Sequence, residues 1–254
     1  MASKLRDALR AYWNATSDLV HWQAIAAVVQ WLTSIVMFAL ADPDARVPYY
    51  TLYWRRKDGF SLTCEGSAAV GYYSAIFLLL SATNHSLCAV FYDWYERAVN
   101  NECNPVRWVE YFFSASLMHV MIAQLCGVAD VHLLFAIAAL TATTMTFGWL
   151  QEAAGPALRK DRADYVWAPF VMGFLPWAAQ WAVIFSHFHN AGSPPEWVIW
   201  LIVLEICLDA SFAAVMWNSQ TGMPFARVEM WYVFLSLFAK QLLAWINFGG
   251  SRSV

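Results

Sequence analysis

Trp231-Tyr232-Val233-Phe234-Leu235-Ser236-Leu237-Phe238-Ala239-Lys240-Gln241-Leu242-Leu243-Ala244-Trp245 is apolar enough to lie within a membrane, yet it carries a lysine near its middle. A free ammonium at that depth costs about 2.5–3.5 kcal/mol on insertion scales and more in simulations. Such a residue is tolerated when an acid answers its charge or when the amine is chemically changed. A lysine joined to a carbonyl compound as a Schiff base meets both conditions. The first expectation is therefore that Lys240 carries a carbonyl cofactor and that the other helices wall its pocket.

The rest of the chain agrees with a membrane setting. Of 254 residues, 60% are hydrophobic and 13% charged, about half the charged share of an average soluble domain. Apolar blocks alternate with short polar loops, which predicts seven spans, roughly 20–41, 67–92, 105–128, 131–153, 165–188, 196–218 and 228–248. Each is long enough to cross a hydrocarbon core of about 30 Å. The fold class expected is an all-α membrane protein, a single domain over residues 1–254. Pro176 lies inside the fifth span, where it removes a backbone donor and should bend the helix.

Residues 42–66 form the one long loop. Aromatic and β-branched runs flank Asp58-Gly59, which predicts a β-hairpin. Residues 1–19 read as a short polar or amphipathic lead-in on the cytoplasmic side, because they lack an apolar run followed by a cleavage site. Nine lysines and arginines (Lys4, Arg6, Arg10, Arg97, Arg107, Arg159, Lys160, Arg162 and Arg227) fall on the N-terminal side, against Arg46, Arg55, Arg56, Lys57 and Arg252 on the other. The positive-inside rule then puts the N-terminus in the cytoplasm and the C-terminus outside. Net charge of −3 gives no basic footprint for nucleic acid. The five scattered cysteines support neither a disulfide framework nor a zinc site. His187-Phe188-His189 has no third ligand near it and reads as interfacial, and His119 and His132 have no partner that the sequence names.

Candidate partners for Lys240 lie on the third span. Glu110 and Ser114 are four residues apart and share one helix face. Two unit charges about 4 Å apart interact by about 4 kcal/mol at an effective dielectric of 20, which makes Glu110 the best counterion. Spacing alone leaves open a surface pairing of Glu110 with Arg107. Ser236 lies one turn before Lys240 and is placed to hydrogen-bond the same site. On the sixth span Glu205 and Asp209 are one turn apart and should face the bundle interior, as intramembrane acids generally do.

The motifs Arg107-Trp108-Val109-Glu110-Tyr111, Ser114-Ala115-Ser116-Leu117-Met118, Phe147-Gly148-Trp149-Leu150-Gln151-Glu152 and Leu235-Ser236-Leu237-Phe238-Ala239-Lys240, with Ala244-Trp245 following, resemble those of heliorhodopsins. So does Ile122 through Asp130, and the resemblance runs from the first span to the last. It implies a seven-helix rhodopsin-like bundle with all-trans retinal on Lys240 as a protonated Schiff base, a Glu110 counterion, and Ser114 and Ser236 near the imine. His21 and His85 match a pair of family histidines beside an inner polar cavity, with Ser81 one turn before His85, and are candidates for proton transfer. Met118, Trp149, Trp177 and Phe212 are candidates to line the chromophore, and Trp245 is a weaker one. The family also implies a homodimer with the hairpin between the first two spans at its interface.

These features imply a light sensor in the plasma or another cellular membrane, with a slow photocycle presented to a cytoplasmic signalling partner. Light-driven pumps have an aspartate where this chain has Ser236 and a second acid where it has Met121, so a conventional pump is not expected. Glu205 and Asp209 depart from the family pattern and raise an alternative, a light-gated proton channel or transporter using Glu110, Glu205 and Asp209. No HExxH, GxSxG or suitably spaced aspartate pair suggests an enzyme.

Overall fold

A computed structural model describes residues 16–161, 167–192 and 195–251, with only the backbone for 155–161. Among these residues the chain forms helices α1 (Asp18–Leu40), α2 (Val70–Val90), α3 (Tyr92–Asn100), α4 (Pro105–Leu125), α5 (Val131–Asp161), α6 (Ala168–Asn190), α7 (Glu196–Gln220) and α8 (Phe225–Ser251). Strands β1 (Arg46–Arg55) and β2 (Gly59–Ala69) lie between α1 and α2. Among the described residues six helices are long and apolar enough to cross a membrane. The helix α4 has the length, at 21 residues, but is more polar, carrying Arg107, Glu110 and Ser114.

The polarity of the molecule is inverted relative to a soluble bundle. Gln30, Ser81, His85, Arg107, Glu110, Gln180, Glu229 and Asn247 are buried, while Leu32, Val90, Phe135, Leu175 and Trp200 lie exposed on outer helix faces. In lipid that outer face is already in its preferred solvent, so only the polar groups need the protein interior. Thr33, Ser86, Thr141 and Ser211 return hydroxyl hydrogen bonds to carbonyls four residues back, which satisfies them inside their own helices.

The helices follow one another around a ring: α1 on α2, α2 on α4, α4 on α5, α5 on α6, α7 on α8, and α8 back on α1 and α2. Of the long helices adjacent in sequence, α6 and α7 approach least closely. Side chains cross that gap: Trp177 and Trp181 donate indole N–H bonds to Asp209. The helix α6 runs through Pro176, which is buried.

The hairpin forms as expected, antiparallel from Arg46↔Ala69 to Arg55↔Gly59 with a bulge at Tyr49/Tyr50. Gly59 takes φ +79, the left-handed conformation that closes the turn. The Tyr50 amide donates to the Ala129 carbonyl at 2.8 Å, pinning the hairpin to the α4–α5 link. Several boundaries differ from the sequence reading by a few residues, and those of the second and fourth spans have a local cause or a large extent. The second span begins at Val70 instead of residue 67, because Ser67-Ala68-Ala69 stay paired in β2. It ends at Val90, where Phe91 (φ −98, ψ 47) breaks the helix, and α3 is a separate element. Helix α5 runs to Asp161, past the expected end at 153. Residues 1–15 of the lead-in lie outside the described residues.

Candidate functional site

Lys240 lies in α8 with its side chain 4% exposed. Its Nζ is 3.1 Å from Glu110 Oε1 and 3.4 Å from Oε2, and it donates to Ser236 Oγ at 3.1 Å. The alternative pairing of Glu110 with Arg107 is not made, because Arg107 turns to Glu152 and Glu229. Ser236 shares a hydrogen bond of 3.2 Å with Ser81, so a hydroxyl chain leads from the lysine toward α2. Ser114 is fully buried and its Oγ has no protein hydrogen-bond partner.

From the lysine tip a cavity of about 220 Å³ extends between α4, α5, α6, α7 and α8. Its lining includes Ser114, Met118, Trp177, Phe212, Ser236 and Lys240, as the sequence led one to expect, and also Tyr111, Phe170 and Tyr232. Tyr232 stacks on Phe212 with centroids 6.0 Å apart, and Tyr111 meets Phe212 edge-on at 5.6 Å. The Lys240 ammonium stands 5.0 Å from the Tyr111 ring centroid. Gly148 on α5 also lines the cavity, and its lack of a side chain makes room for the Trp108 ring, whose Cη2 a methyl there would meet at 2.6 Å. Trp149 is a correction to the sequence reading. One residue of helical rotation past Gly148 turns it out of the cavity, and it is 38% exposed. Trp245 is 46% exposed and likewise does not line the cavity.

The cavity fits retinal. It offers a buried amine at one end, a carboxylate within ion-pair distance of it, and a wall of rings and methionines. Retinal, when bound, would supply visible absorption and photoisomerisation.

On the other side of Lys240 lies a polar network. His85 Nδ1 bonds Gln23 Oε1, Gln23 Nε2 donates to Tyr95 Oη at 2.7 Å, and Tyr95 donates to Glu229 Oε2 at 2.9 Å. Arg107 pairs with both Glu229 and Glu152, and its guanidinium lies 3.9 Å from the Tyr232 ring centroid. Asn104 caps α4 by accepting from the Arg107 amide and donates to Glu229 at 3.0 Å, while its own amide donates to Glu152 at 2.8 Å. Burial, with the Glu229 charge adding to it, holds the Tyr95 phenol on the short helix α3 well above its usual range. Of the predicted proton-transfer residues, Ser81 and His85 join these chains. His21 is buried on α1 with Asp18 3.6 Å from its Nδ1.

Glu205 and Asp209 face the cavity, as expected for acids within the bundle. Sequence reasoning missed their partner. His119 Nε2 lies 3.7 Å from Asp209 Oδ2, and the three residues place one ligand atom each within 4.8 Å of one another. The sequence also missed Gln23, Tyr95, Glu152 and Glu229. For Glu152 and Glu229 the one signal was an acid at the end of each of two apolar segments; nothing in the sequence tied either to Arg107.

A family model described as Heliorhodopsin matches residues 19–252. A search of curated proteins returns no match. Several solved structures share the fold. The transmembrane domain of Salpingoeca rosetta rhodopsin phosphodiesterase is 14% identical, with a TM-score of 0.68 over 98% of this chain and 89% of that one. The light-driven proton pump Coccomyxa subellipsoidea Rhodopsin CsR is 11% identical, with a TM-score of 0.66 over 92% and 97%. Halorhodopsin, a light-driven chloride pump, is 14% identical, with a TM-score of 0.63 over 91% and 93%. At these identities the likeness is one of fold.

Proposed function

The chain belongs to the heliorhodopsin family, retinal-binding membrane proteins of photoreceptor type, and on that premise we propose that it is a light sensor with all-trans retinal on Lys240. The linkage is a protonated Schiff base and Glu110 is its counterion. The observation that carries this reading is the buried Lys240 Nζ, 3.1 Å from Glu110 at the end of a ring-lined cavity. Retinal contributes the light absorption and the change of shape. The protein's own residues do the rest. Glu110 holds the positive charge of the attached nitrogen. Ser236, one turn before Lys240 and hydrogen-bonded to Ser81, would stand within reach of that nitrogen. Met118, Trp177 and Phe212 confine the polyene and exclude water.

The membrane arrangement belongs to the same proposal. Helix α4 is counted as a seventh span: it is 21 residues long, and Arg107, Glu110, Ser114, His119 and Gln124 on it are buried. The N-terminus is cytoplasmic, which the asymmetry of lysine and arginine supports. The network from His85 to Glu152 then lies toward the cytoplasm, where its rearrangement would be presented to a signalling partner in a slow photocycle. A homodimer is proposed with the hairpin at its interface, supported by Trp54, Phe60 and Leu62, which are 66%, 71% and 66% exposed.

A second reading is favoured by one observation, the His119, Glu205 and Asp209 cluster on the cavity wall. Acids on one side of Lys240 and a hydrogen-bonded network on the other suit light-gated proton movement. Adding all-trans retinal to the purified protein should produce a visible band that is missing in Lys240→Ala. A colourless wild type contradicts the proposal. Voltage clamp separates its two forms: a light-dependent current lost in Glu205→Gln supports conduction, and no current at any voltage supports the sensor.

A further inference from the structure

Three acceptors converge on the cavity wall with too few donors. His119 is 1% exposed, and its Nδ1 lies 3.0 Å from the Ala115 carbonyl. That bond places a hydrogen on Nδ1 and turns Nε2 toward the two carboxylates. Among the described residues Nε2 has no hydrogen-bond partner, and neither has Oε2 of Glu205, which is 3% exposed. The two indole N–H groups that reach the cluster, from Trp177 at 2.7 Å and Trp181 at 3.1 Å, both go to Asp209 Oδ2. An imidazole nitrogen thus faces two carboxylates inside the bundle, and the three compete for one proton or one cation. Only a cation or added protons can satisfy them.

We propose that His119, Glu205 and Asp209 form a binding site for a divalent transition-metal ion of the zinc class. One imidazole and two carboxylates are a ligand set zinc accepts, with a fourth position left for water. At zinc–ligand distances of about 2.0–2.2 Å, tetrahedral ligand atoms stand about 3.4 Å apart. His119 Nε2 and Asp209 Oδ2 are 3.7 Å apart, and the whole set lies within 4.8 Å, so closure needs mainly a rotation of Glu205. The outer shell is in place. The histidine is held by a backbone carbonyl and the aspartate by two indoles, the kind of support that orients metal ligands. Asp209 keeps 17% of its side chain exposed, which gives the ion an entry. The ion competes with protons for the same lone pairs, so binding releases protons.

The site does not depend on retinal, and the test is made first without it. Full-length protein in lipid nanodiscs, with His187→Ala and His189→Ala to silence the outer histidine pair, is titrated with zinc chloride in a calorimeter. One equivalent should bind with proton release. Binding should vanish in His119→Ala. It should weaken about 10–100-fold in Trp181→Phe, which removes a support bond, keeps all three ligands and covers the case in which His119→Ala fails to fold. Absence of saturable binding overturns the proposal, and so does binding unchanged in His119→Ala and Trp181→Phe. In retinal-loaded protein, zinc should shift the visible band of the parent and leave that of His119→Ala in place. A colourless preparation that still binds zinc separates the failure of the retinal reading from the failure of this one.

Discussion

Lys240 and Glu110 were legible from sequence because single charges in apolar runs are rare, and each therefore demands an explanation. The pairing of Arg107 was not legible: its partners are 45 and 122 residues away, on other helices. The same holds for His119, whose partner Asp209 is on α7. Local spacing cannot report a contact made only when the ring of helices closes. The Glu110 assignment makes a prediction at this scale. In Glu110→Gln the visible band should move well away from its wild-type position, because the charge nearest the nitrogen is gone. Ser114→Ala should move it less. Absorption spectra of the two variants check this, and an unchanged band in Glu110→Gln counts against the counterion role.

Between elements, the buried ion cluster clamps α4 to α5 and α8. Arg107 is 3% exposed, so replacing it leaves Glu152 and Glu229 buried without a cation. Arg107→Ala should lower stability by about 3–5 kcal/mol, read as a lower midpoint of thermal or denaturant unfolding in detergent. Adding Glu152→Gln and Glu229→Gln should recover part of that loss. A close contact one residue along, between Trp108 of α4 and Gly148 of α5, gives a second prediction. Gly148→Ala puts a methyl against the Trp108 ring and should cost about 1–3 kcal/mol, with a shifted visible band as the ring moves into the cavity. The extent of the elements was only partly readable. Hydropathy located the long helices but not α3, whose start depends on the backbone break at Phe91 and whose buried side is only Tyr95 and Ala98. Nor does hydropathy separate the end of β2 from the start of α2, since small residues suit both.

For the whole molecule, the inside-out distribution of polarity is what makes the fold readable at all, and it makes orientation testable. Cys64 is exposed on the hairpin strand β2, whereas the other exposed cysteine, Cys207, lies on the membrane helix α7. A membrane-impermeant maleimide applied to intact cells should label the protein, and Cys64→Ser should remove the label. Labelling only after the cells are opened contradicts a cytoplasmic N-terminus. Association is tested on the same hairpin. Phe60→Asp with Leu62→Asp should convert a dimer to a monomer in nanodisc or detergent sizing without changing the visible band, because these side chains lie far out on β2, away from the cavity lining.

The account rests on a covalent bond at one nitrogen. Borohydride reduction of the retinal-treated protein in the light, followed by peptide mass mapping, locates that bond directly. A retinyl adduct on Lys240 and on no other lysine is the predicted result. An unmodified Lys240 in protein that has acquired visible colour would contradict it.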